Sequence, residues 1–157
     1  MGDAGAGLLD VTETALPLEL TILAAPEQVR EALKRLRGAL EGAGWAGHEL
    51  ARVELVLAEA LNNIAEHAYA GGPAGPVILR IAPEGGGLCA VLRDRGRPMP
   101  RGAPPEGTLP PSDVATRALP EGGFGWFLIR SQTDSLIYRR ESGENRLELH
   151  FRPRAER

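Results

Sequence analysis

A long stretch of helical periodicity limits the folds that are open to this chain. From about His48 to Ala68, apolar residues recur every three or four positions, as on one buried face of a helix. These positions are Leu50, Val53, Leu57, Leu61, Ile64 and Ala68. A glycine- and proline-containing turn at 70–73 ends the segment. A helix of this length needs a second layer that buries its apolar face.

The flanking segments predict strands and a second helix. Residues 16–22 alternate between apolar and polar, which indicates a strand with one buried face. A helix is predicted from Pro26 to about Gly42, with an apolar side and a charged side. The runs 77–81 and 88–92 are mostly apolar and predict central strands, the second of which ends at Asp94.

The C-terminal part predicts one helix and a hairpin. Residues 124–133 read as a helix, and 135–141 and 146–152 as strands joined by a tight turn. Consecutive strands joined by tight turns are antiparallel neighbours. The predicted fold class is therefore α+β, a two-layer sandwich. We expect a mixed, mainly antiparallel sheet of about five strands with three helices on one face.

Prolines and glycines from 95 to 123 leave no usable periodicity, so this segment is predicted to be a mobile lid. One short helical turn is expected within it, near 112–117. The remaining organisation is predicted as a disordered leader at 1–14, a single domain at 15–152 and a C-terminal tail at 153–157.

Composition excludes several classes of protein. Apolar residues make up 43% and charged residues 25%, as in a globular domain. The net charge of −3 argues against a nucleic-acid partner, and the basic clusters near Lys34 and at Arg139 and Arg140 are predicted to face solvent. No apolar run reaches the roughly 20 residues of a membrane span, so a cytoplasmic protein is expected. Cys89, in an apolar run, is predicted to be a buried small side chain.

The long helix carries a polar stripe beside its apolar one. Glu59, Asn63 and His67 are spaced four residues apart, so they lie about one turn above one another. Such a stripe suits a magnesium–phosphate site, because Asn offers a neutral oxygen to Mg²⁺ and Glu can act as a general base. The same spacing also occurs on an ordinary solvated helix flank.

Two further segments carry possible site residues. Asp94 ends a central strand and can accept a hydrogen bond from an exocyclic amine, and Gly96 would let a flat ring approach the backbone. Gly122, Gly123 and Gly125 lead into a helix start, where free amides receive phosphate oxygens. An ordinary strand-to-loop turn and a flexible helix entry are the respective alternatives.

Taken in order, these segments resemble a known family. The stretches AEALNNIAEHAY, DRGRPMP and EGGFGWFLIRSQTDSLIYRR look like the N, G1 and G2 boxes of the GHKL ATPases. Within that family the chain is most similar to the stand-alone anti-sigma factor serine/threonine kinases of bacterial partner-switching systems. The resemblance implies that Glu59 is the catalytic base, Asn63 the magnesium ligand, Asp94 the adenine-binding aspartate and Gly96 its neighbour against the base.

The resemblance also implies that Gly123 and Gly125 face the phosphates. His67 matches a position that is often histidine in the subfamily, and no role is assigned to it. Pro98 departs from the family pattern, which has a second glycine there. This departure is expected to alter the hinging of the lid and the affinity for nucleotide.

The implied activity is an ATP- and Mg²⁺-dependent serine/threonine kinase. Its implied partners are a sigma factor and a STAS-type anti-sigma-factor antagonist, and homodimers are usual in the subfamily. One alternative is a nucleotide-binding regulator that sequesters its partner without productive phosphoryl transfer. The other is a detached histidine-kinase ATPase domain, although no segment here has room for a phosphoacceptor helix pair.

Overall fold

The structure is a computed structural model that describes residues 15–107 and 123–154. The described elements, in chain order, are β1 (Leu18–Leu23), α1 (Pro26–Gly42), α2 (Gly47–Asn63), a π-helical turn (Ile64–Ala68), β2 (Pro76–Glu84), β3 (Gly87–Asp94), a 3-10 turn (Pro100–Gly102), α3 (Gly123–Gln132), β4 (Ser135–Glu141) and β5 (Glu144–Phe151). Among these residues, no helix has the length and apolar character that crossing a membrane requires.

The five strands form one open sheet in the order β1-β2-β3-β5-β4. Every neighbouring pair is antiparallel, so the sheet is fully antiparallel where a mixed, mainly antiparallel one was expected. The reason is the position of β5, which lies between β3 and β4. These two strands run in the same direction, and β5 keeps them from pairing with each other. The α+β, two-layer class is confirmed.

Alternate residues of the strands pack against the helices. The inward positions of β2, β3 and β5 are almost fully buried, as are the apolar positions of α2. The buried strand residues are Val77, Leu79, Ile81, Leu88, Ala90, Leu92, Leu147, Leu149 and Phe151. This alternation follows from the two-residue period of a strand, which sends successive side chains to opposite faces. Cys89 falls on the outward phase of β3 and is partly exposed, so its predicted burial is wrong.

The long helix was predicted to continue to Ala68, but its α-helical part ends at Asn63. In the next five residues the helix widens, and the Tyr69 amide donates to the Ile64 carbonyl five residues back, at 3.3 Å. The Ala68 carbonyl is turned outward and accepts a bond from the Arg97 amide at 2.7 Å. The wide turn therefore joins the helix end to the segment after β3.

Candidate functional site

The polar stripe of α2 faces the start of α3. A methyl group on Gly125 would lie 2.9 Å from Glu59 Oε2 and 3.6 Å from both terminal atoms of the Asn63 carboxamide. Glycine at 125 therefore lets the first turn of α3 approach the stripe without displacing the Glu59 carboxylate. Two segments that lie far apart in the sequence, and were singled out separately, meet here.

The start of α3 adds hydrogen-bond donors to this junction. The helix begins at Gly123, and the amides of a first helical turn have no partner within their own helix. Together with the positive end of the helix dipole they form an environment suited to an anion. Gly122 lies outside the described residues, as do 108–121, which include the helical turn expected near 112–117.

Asn63 carries an unpaired polar atom. Its Nδ2 is buried and has no hydrogen-bond partner within the described ranges. Rotating the carboxamide by half a turn exchanges nitrogen and oxygen, so either atom can face a ligand at this point. Native interiors rarely leave such a group unpaired without a functional reason.

A cavity of about 490 Å³ opens beside Asn63. This volume is within the usual range for small-molecule sites. Its lining includes Ala60, Asn63, Ile64, His67, Asp94, Pro98, Met99, Trp126, Tyr138, Asn145 and Leu147. The wall is mostly apolar, with a few polar groups from α2, β3 and β5. Asn63 and Asp94 thus share one cavity, and the junction of Glu59 with Gly125 lies next to Asn63.

Asp94 is the most deeply buried carboxylate of the site, with 6% of its surface exposed. Its Oδ1 accepts hydrogen bonds from the Gly96 amide and from Asn145 Nδ2, both at 2.9 Å. Among the described residues these are the only hydrogen bonds of its carboxylate, and both go to Oδ1. Burial raises the pKa of Asp94 above its ordinary value, and the two hydrogen bonds offset only part of this rise. Oδ2 is left as an acceptor for a ligand.

Gly96 is explained by a contact between two segments of the protein. A side chain at this position would collide with the backbone oxygen of Ala68, at the end of the wide helical turn. Glycine is therefore required for the loop after β3 to dock on the helix. Its predicted contact with a flat ring stays a prediction.

His67 lies in the wide turn and not on the α-helical stripe. The wider helix changes its angular position relative to Glu59 and Asn63, which the four-residue spacing did not anticipate. The side chain is 62% exposed, lies 4.0 Å from Glu66 Oε2 and contributes to the cavity wall.

Asn145 was missed, because it was read as part of a surface turn. The residue is 4% exposed and lies directly opposite Asp94 in the β3–β5 pairing. Its Nδ2 also donates to the Arg97 carbonyl at 2.8 Å, and its Oδ1 accepts from Tyr138 at 2.6 Å. The available signal was its phase, since Asn145 precedes the inward series Leu147, Leu149 and Phe151 at the same two-residue spacing.

Arg140 is exposed, as predicted, but its guanidinium also reaches groups of the site. Its guanidinium donates to the Gly96 carbonyl at 2.9 Å and to Asn145 Oδ1 at 2.8 Å. Arg139, its neighbour, is exposed as predicted. Strand alternation sends adjacent residues to opposite faces, so a basic pair in a strand need not act as one cluster.

The first part of the predicted lid makes defined contacts. The Met99 amide donates to the Tyr138 hydroxyl at 3.1 Å, and Arg130 of α3 donates to the carbonyls of Pro104 and Pro105, each at 2.9 Å. Pro98, the departure from the family pattern, is exposed and lines the cavity. Ordering of the whole lid by nucleotide stays a prediction.

Comparison with known proteins finds related sequences and a related structure. Two curated relatives are each described as serine-protein kinase RsbW. That of Bacillus pumilus is 28% identical over 136 residues, covering 85% of this chain and 84% of the relative. That of Oceanobacillus iheyensis is 26% identical over 128 residues, covering 80% of each. Among solved structures, the RsbU and RsbW domains of Rv1364c from Mycobacterium tuberculosis share the fold. The TM-score is 0.61 at 20% identity, over 87% of this chain and 32% of that one.

A family match agrees with the motifs. Residues 22–151 match the family described as histidine kinase-like ATPase domain, HATPase_c_2. This range takes in the polar stripe of α2, Asp94, the start of α3 and Asn145. The resemblance to GHKL ATPases noted from the sequence is confirmed. This chain belongs to the histidine kinase-like ATPase domain family.

Proposed function

We propose that this chain is an ATP-dependent anti-sigma factor with serine/threonine kinase activity. It would sequester a sigma factor in the cytoplasm and phosphorylate a Ser or Thr on a STAS-type antagonist. The observation that carries the proposal is the junction of Glu59 and Asn63 with Gly125, beside the cavity that holds Asp94. The two relatives described as serine-protein kinases support it.

The cavity fits an adenine nucleotide in three respects. Asp94 offers Oδ2 to an exocyclic amine, and the mostly apolar wall suits a flat ring. Gly123 and Gly125 at the start of α3 would leave backbone amides open to phosphate oxygens, and Gly122, which precedes them in the sequence, is proposed to do the same. Gly96 lets the loop after β3 lie against Ala68, and its amide donates to Asp94 at the end of that strand.

Asn63 fits a magnesium ion bound together with the phosphates. Its carboxamide is unpaired within the described ranges, and the space beside it is kept open by Gly125. When bound, Mg²⁺ supplies charge neutralisation for the phosphate oxygens. The protein's own contribution is a single neutral oxygen in a fixed position at the end of α2.

Glu59 is placed to act on the attacking group. Its carboxylate lies one turn before Asn63 and beside the first turn of α3. In the transfer, the hydroxyl oxygen of the acceptor forms a bond to the γ-phosphorus, and the bond from that phosphorus to the β–γ bridging oxygen breaks. Glu59 takes the hydroxyl proton, and ADP leaves. The unphosphorylated antagonist would compete with the sigma factor for this chain.

Two measurements test the proposal. ADP–Mg²⁺ at about 100 times its dissociation constant should stabilise the parent protein by roughly 2.7 kcal/mol against unfolding. Incubation with ATP–Mg²⁺ and a STAS-domain protein encoded next to this gene should place an acid-stable phosphate on a Ser or Thr of that protein. If neither ADP nor ATP raises the melting temperature, the whole proposal is rejected.

The labelling experiment also separates the alternatives. Binding of ATP and of a sigma factor without any label on the antagonist would favour a regulator that only sequesters. An acid-labile label would favour a histidine-kinase type of activity.

A further inference from the structure

A second cluster of reactive side chains lies on the sheet face opposite the helices. Cys89 of β3 is directly opposite Ala82 of β2 on one side and His150 of β5 on the other. Glu84 lies two residues after Ala82, and therefore on the same face. Three neighbouring strands thus bring a thiol, an imidazole and a carboxylate together, and paired backbones hold their spacing.

The side-chain geometry is close enough for a shared ligand. One ligand atom each from Glu84, Cys89 and His150 lies within 4.8 Å of the other two. The His150 Nδ1 is 2.6 Å from Glu84 Oε2. Its Nε2 is 2.7 Å from Glu148 Oε1, so the ring is held from both sides.

We propose that Glu84, Cys89 and His150 form a site for a zinc-class divalent metal ion. The three side chains supply one oxygen, one sulfur and one nitrogen, and water completes a tetrahedral set. His150 binds through Nδ1, while Nε2–H donates to Glu148. Such a carboxylate on the other ring nitrogen is the usual support of a metal-bound histidine. Without metal, a proton occupies the space between Nδ1 and Glu84.

The charges around the cluster favour a cation. Burial is the main cause that raises the pKa of Cys89 to about 11; the carboxylates of Glu148 and Glu84 add to the rise, and Arg146 and Arg80 offset part of it. The same two carboxylates attract a divalent ion. Once bound, the ion reverses the effect and the thiol is deprotonated, so metal binding releases protons.

The ligand set selects the metal. Sulfur and nitrogen donors favour Zn²⁺ or Co²⁺ over Mg²⁺, which prefers oxygen. Cys89 lies five residues before Asp94 on β3, which is about 17 Å along a strand. The site is therefore separate from the magnesium position proposed at Asn63.

A cobalt titration of the full chain tests the site. One equivalent of Co²⁺ should produce a thiolate-to-cobalt charge-transfer band in the near ultraviolet, and Zn²⁺ should remove it. Cys89→Ser should abolish the band, and His150→Gln should weaken Co²⁺ binding at least about tenfold. Glu19→Gln, an outward carboxylate on β1 away from the cluster, should leave both unchanged. No band in the parent, or parent affinity in His150→Gln, would overturn the proposal and leave a hydrogen-bonded histidine–carboxylate group only.

A second measurement uses the fact that Cys89 is the single cysteine of the chain. Zn²⁺ should slow alkylation of the parent thiol at least about tenfold, since the metal-bound sulfur is shielded. In Glu84→Gln and His150→Gln the same Zn²⁺ concentration should protect much less. Equal alkylation rates in the parent with and without Zn²⁺ would contradict the site, whatever the folding state of the variants.

Discussion

The two ends of α2 differ in whether their buried polar side chains have hydrogen-bond partners. Near its start, Arg52 is 7% exposed and donates to the carbonyls of Gln132 and Arg152 at 2.8 and 2.6 Å. It also pairs with Glu49 at 2.7 Å, and within the described ranges only its Nε lacks a partner. At the other end, Asn63 Nδ2 is buried and has no hydrogen-bond partner among the described residues.

The difference indicates which end maintains the fold and which end serves a ligand. Arg52 joins the helix to the ends of α3 and β5, and the protein itself supplies nearly all its partners. An unpaired buried group such as that of Asn63 costs roughly 1–3 kcal/mol, which a bound ligand can recover. Stability should thus respond to changes at the Arg52 end, and binding and catalysis to changes at the Asn63 end.

The largest effect is expected for Glu59→Gln, next to Asn63. Phosphoryl transfer should fall by roughly 10²–10⁴-fold, because a positioned base is lost, while ATP affinity stays within a few-fold. Rates of antagonist labelling and nucleotide titrations measure the two quantities. Glu54→Gln, on the same helix but paired with Arg37 of α1 and absent from the cavity lining, is the control. Unchanged transfer in Glu59→Gln would remove this residue from the proposed chemistry.

Arg52→Met should have the opposite profile. Removing the guanidinium leaves two carbonyls and Glu49 without their donor, so unfolding should become about 3 kcal/mol easier. Nucleotide affinity of the remaining folded protein should change little. Arg37→Met removes an exposed arginine that also pairs with two glutamates, and should cost at most about 1 kcal/mol. Denaturant unfolding measures the free energy of unfolding of both variants. Equal losses in the two would contradict the structural role assigned to the Arg52 end of α2.

Asp94→Asn should weaken ADP and ATP binding about ten- to a hundredfold, because a buried acceptor facing the ligand becomes a donor. Asn can still accept the bonds from Gly96 and Asn145, so the fold should persist. Calorimetric titration measures the change. Asp134→Asn, at the Arg52 end, should leave affinity unaltered, and an equal loss in both variants would point to a general structural defect.

The same substitution predicts a pH dependence of stability. Burial raises the folded-state pKa of Asp94 above its ordinary value, so the fold favours the protonated carboxyl. Its contribution is present below the unfolded pKa and is lost as pH rises through the folded value. Asp94→Asn should therefore gain stability relative to the parent at pH 7, and the gain should shrink towards pH 4. A difference that is constant across this range would contradict the assigned shift.

The smallest loss of stability is expected for Asn63→Ala. Since Nδ2 makes no hydrogen bond to the described residues, its removal should not lower the free energy of unfolding and should recover part of the roughly 1–3 kcal/mol that the unpaired group costs. Magnesium-dependent nucleotide binding should nevertheless weaken. Asn62→Ala, the exposed neighbour, should leave binding intact. A large stability loss in Asn63→Ala would show that this end of α2 is structural too.

Local patterns predicted most of the elements, because each depends on neighbours in the sequence. The two-residue period of β5 and the helical period of α2 are consequences of geometry within one segment. β4 matches its predicted bounds, and α1 runs from Pro26 to Gly42 as expected. The polar stripe with Glu59 and Asn63 was visible for the same reason.

What escaped prediction depends on contacts between segments. The Asp94–Asn145 hydrogen bond joins residues that are 51 positions apart, and the sequence around Asn145 does not indicate which residue it will contact. The wide turn after Asn63 is bonded to Arg97 through the Ala68 carbonyl, a contact that a helical pattern cannot reveal. The Arg52 cluster, which spans up to 100 positions, was not anticipated at all.

The position of β5 inside the sheet also has a kinetic consequence. A chain emerges from the ribosome with its N-terminus first, so α2 and β3 are available before β5 exists. Until β5 inserts between β3 and β4, Asp94 lacks its Asn145 partner and the cavity lacks a wall. Pairing over such separations requires closing a long loop, which is slow compared with forming the helices. A small molecule that binds this cavity can therefore select only the finished domain and cannot guide the nascent chain towards it.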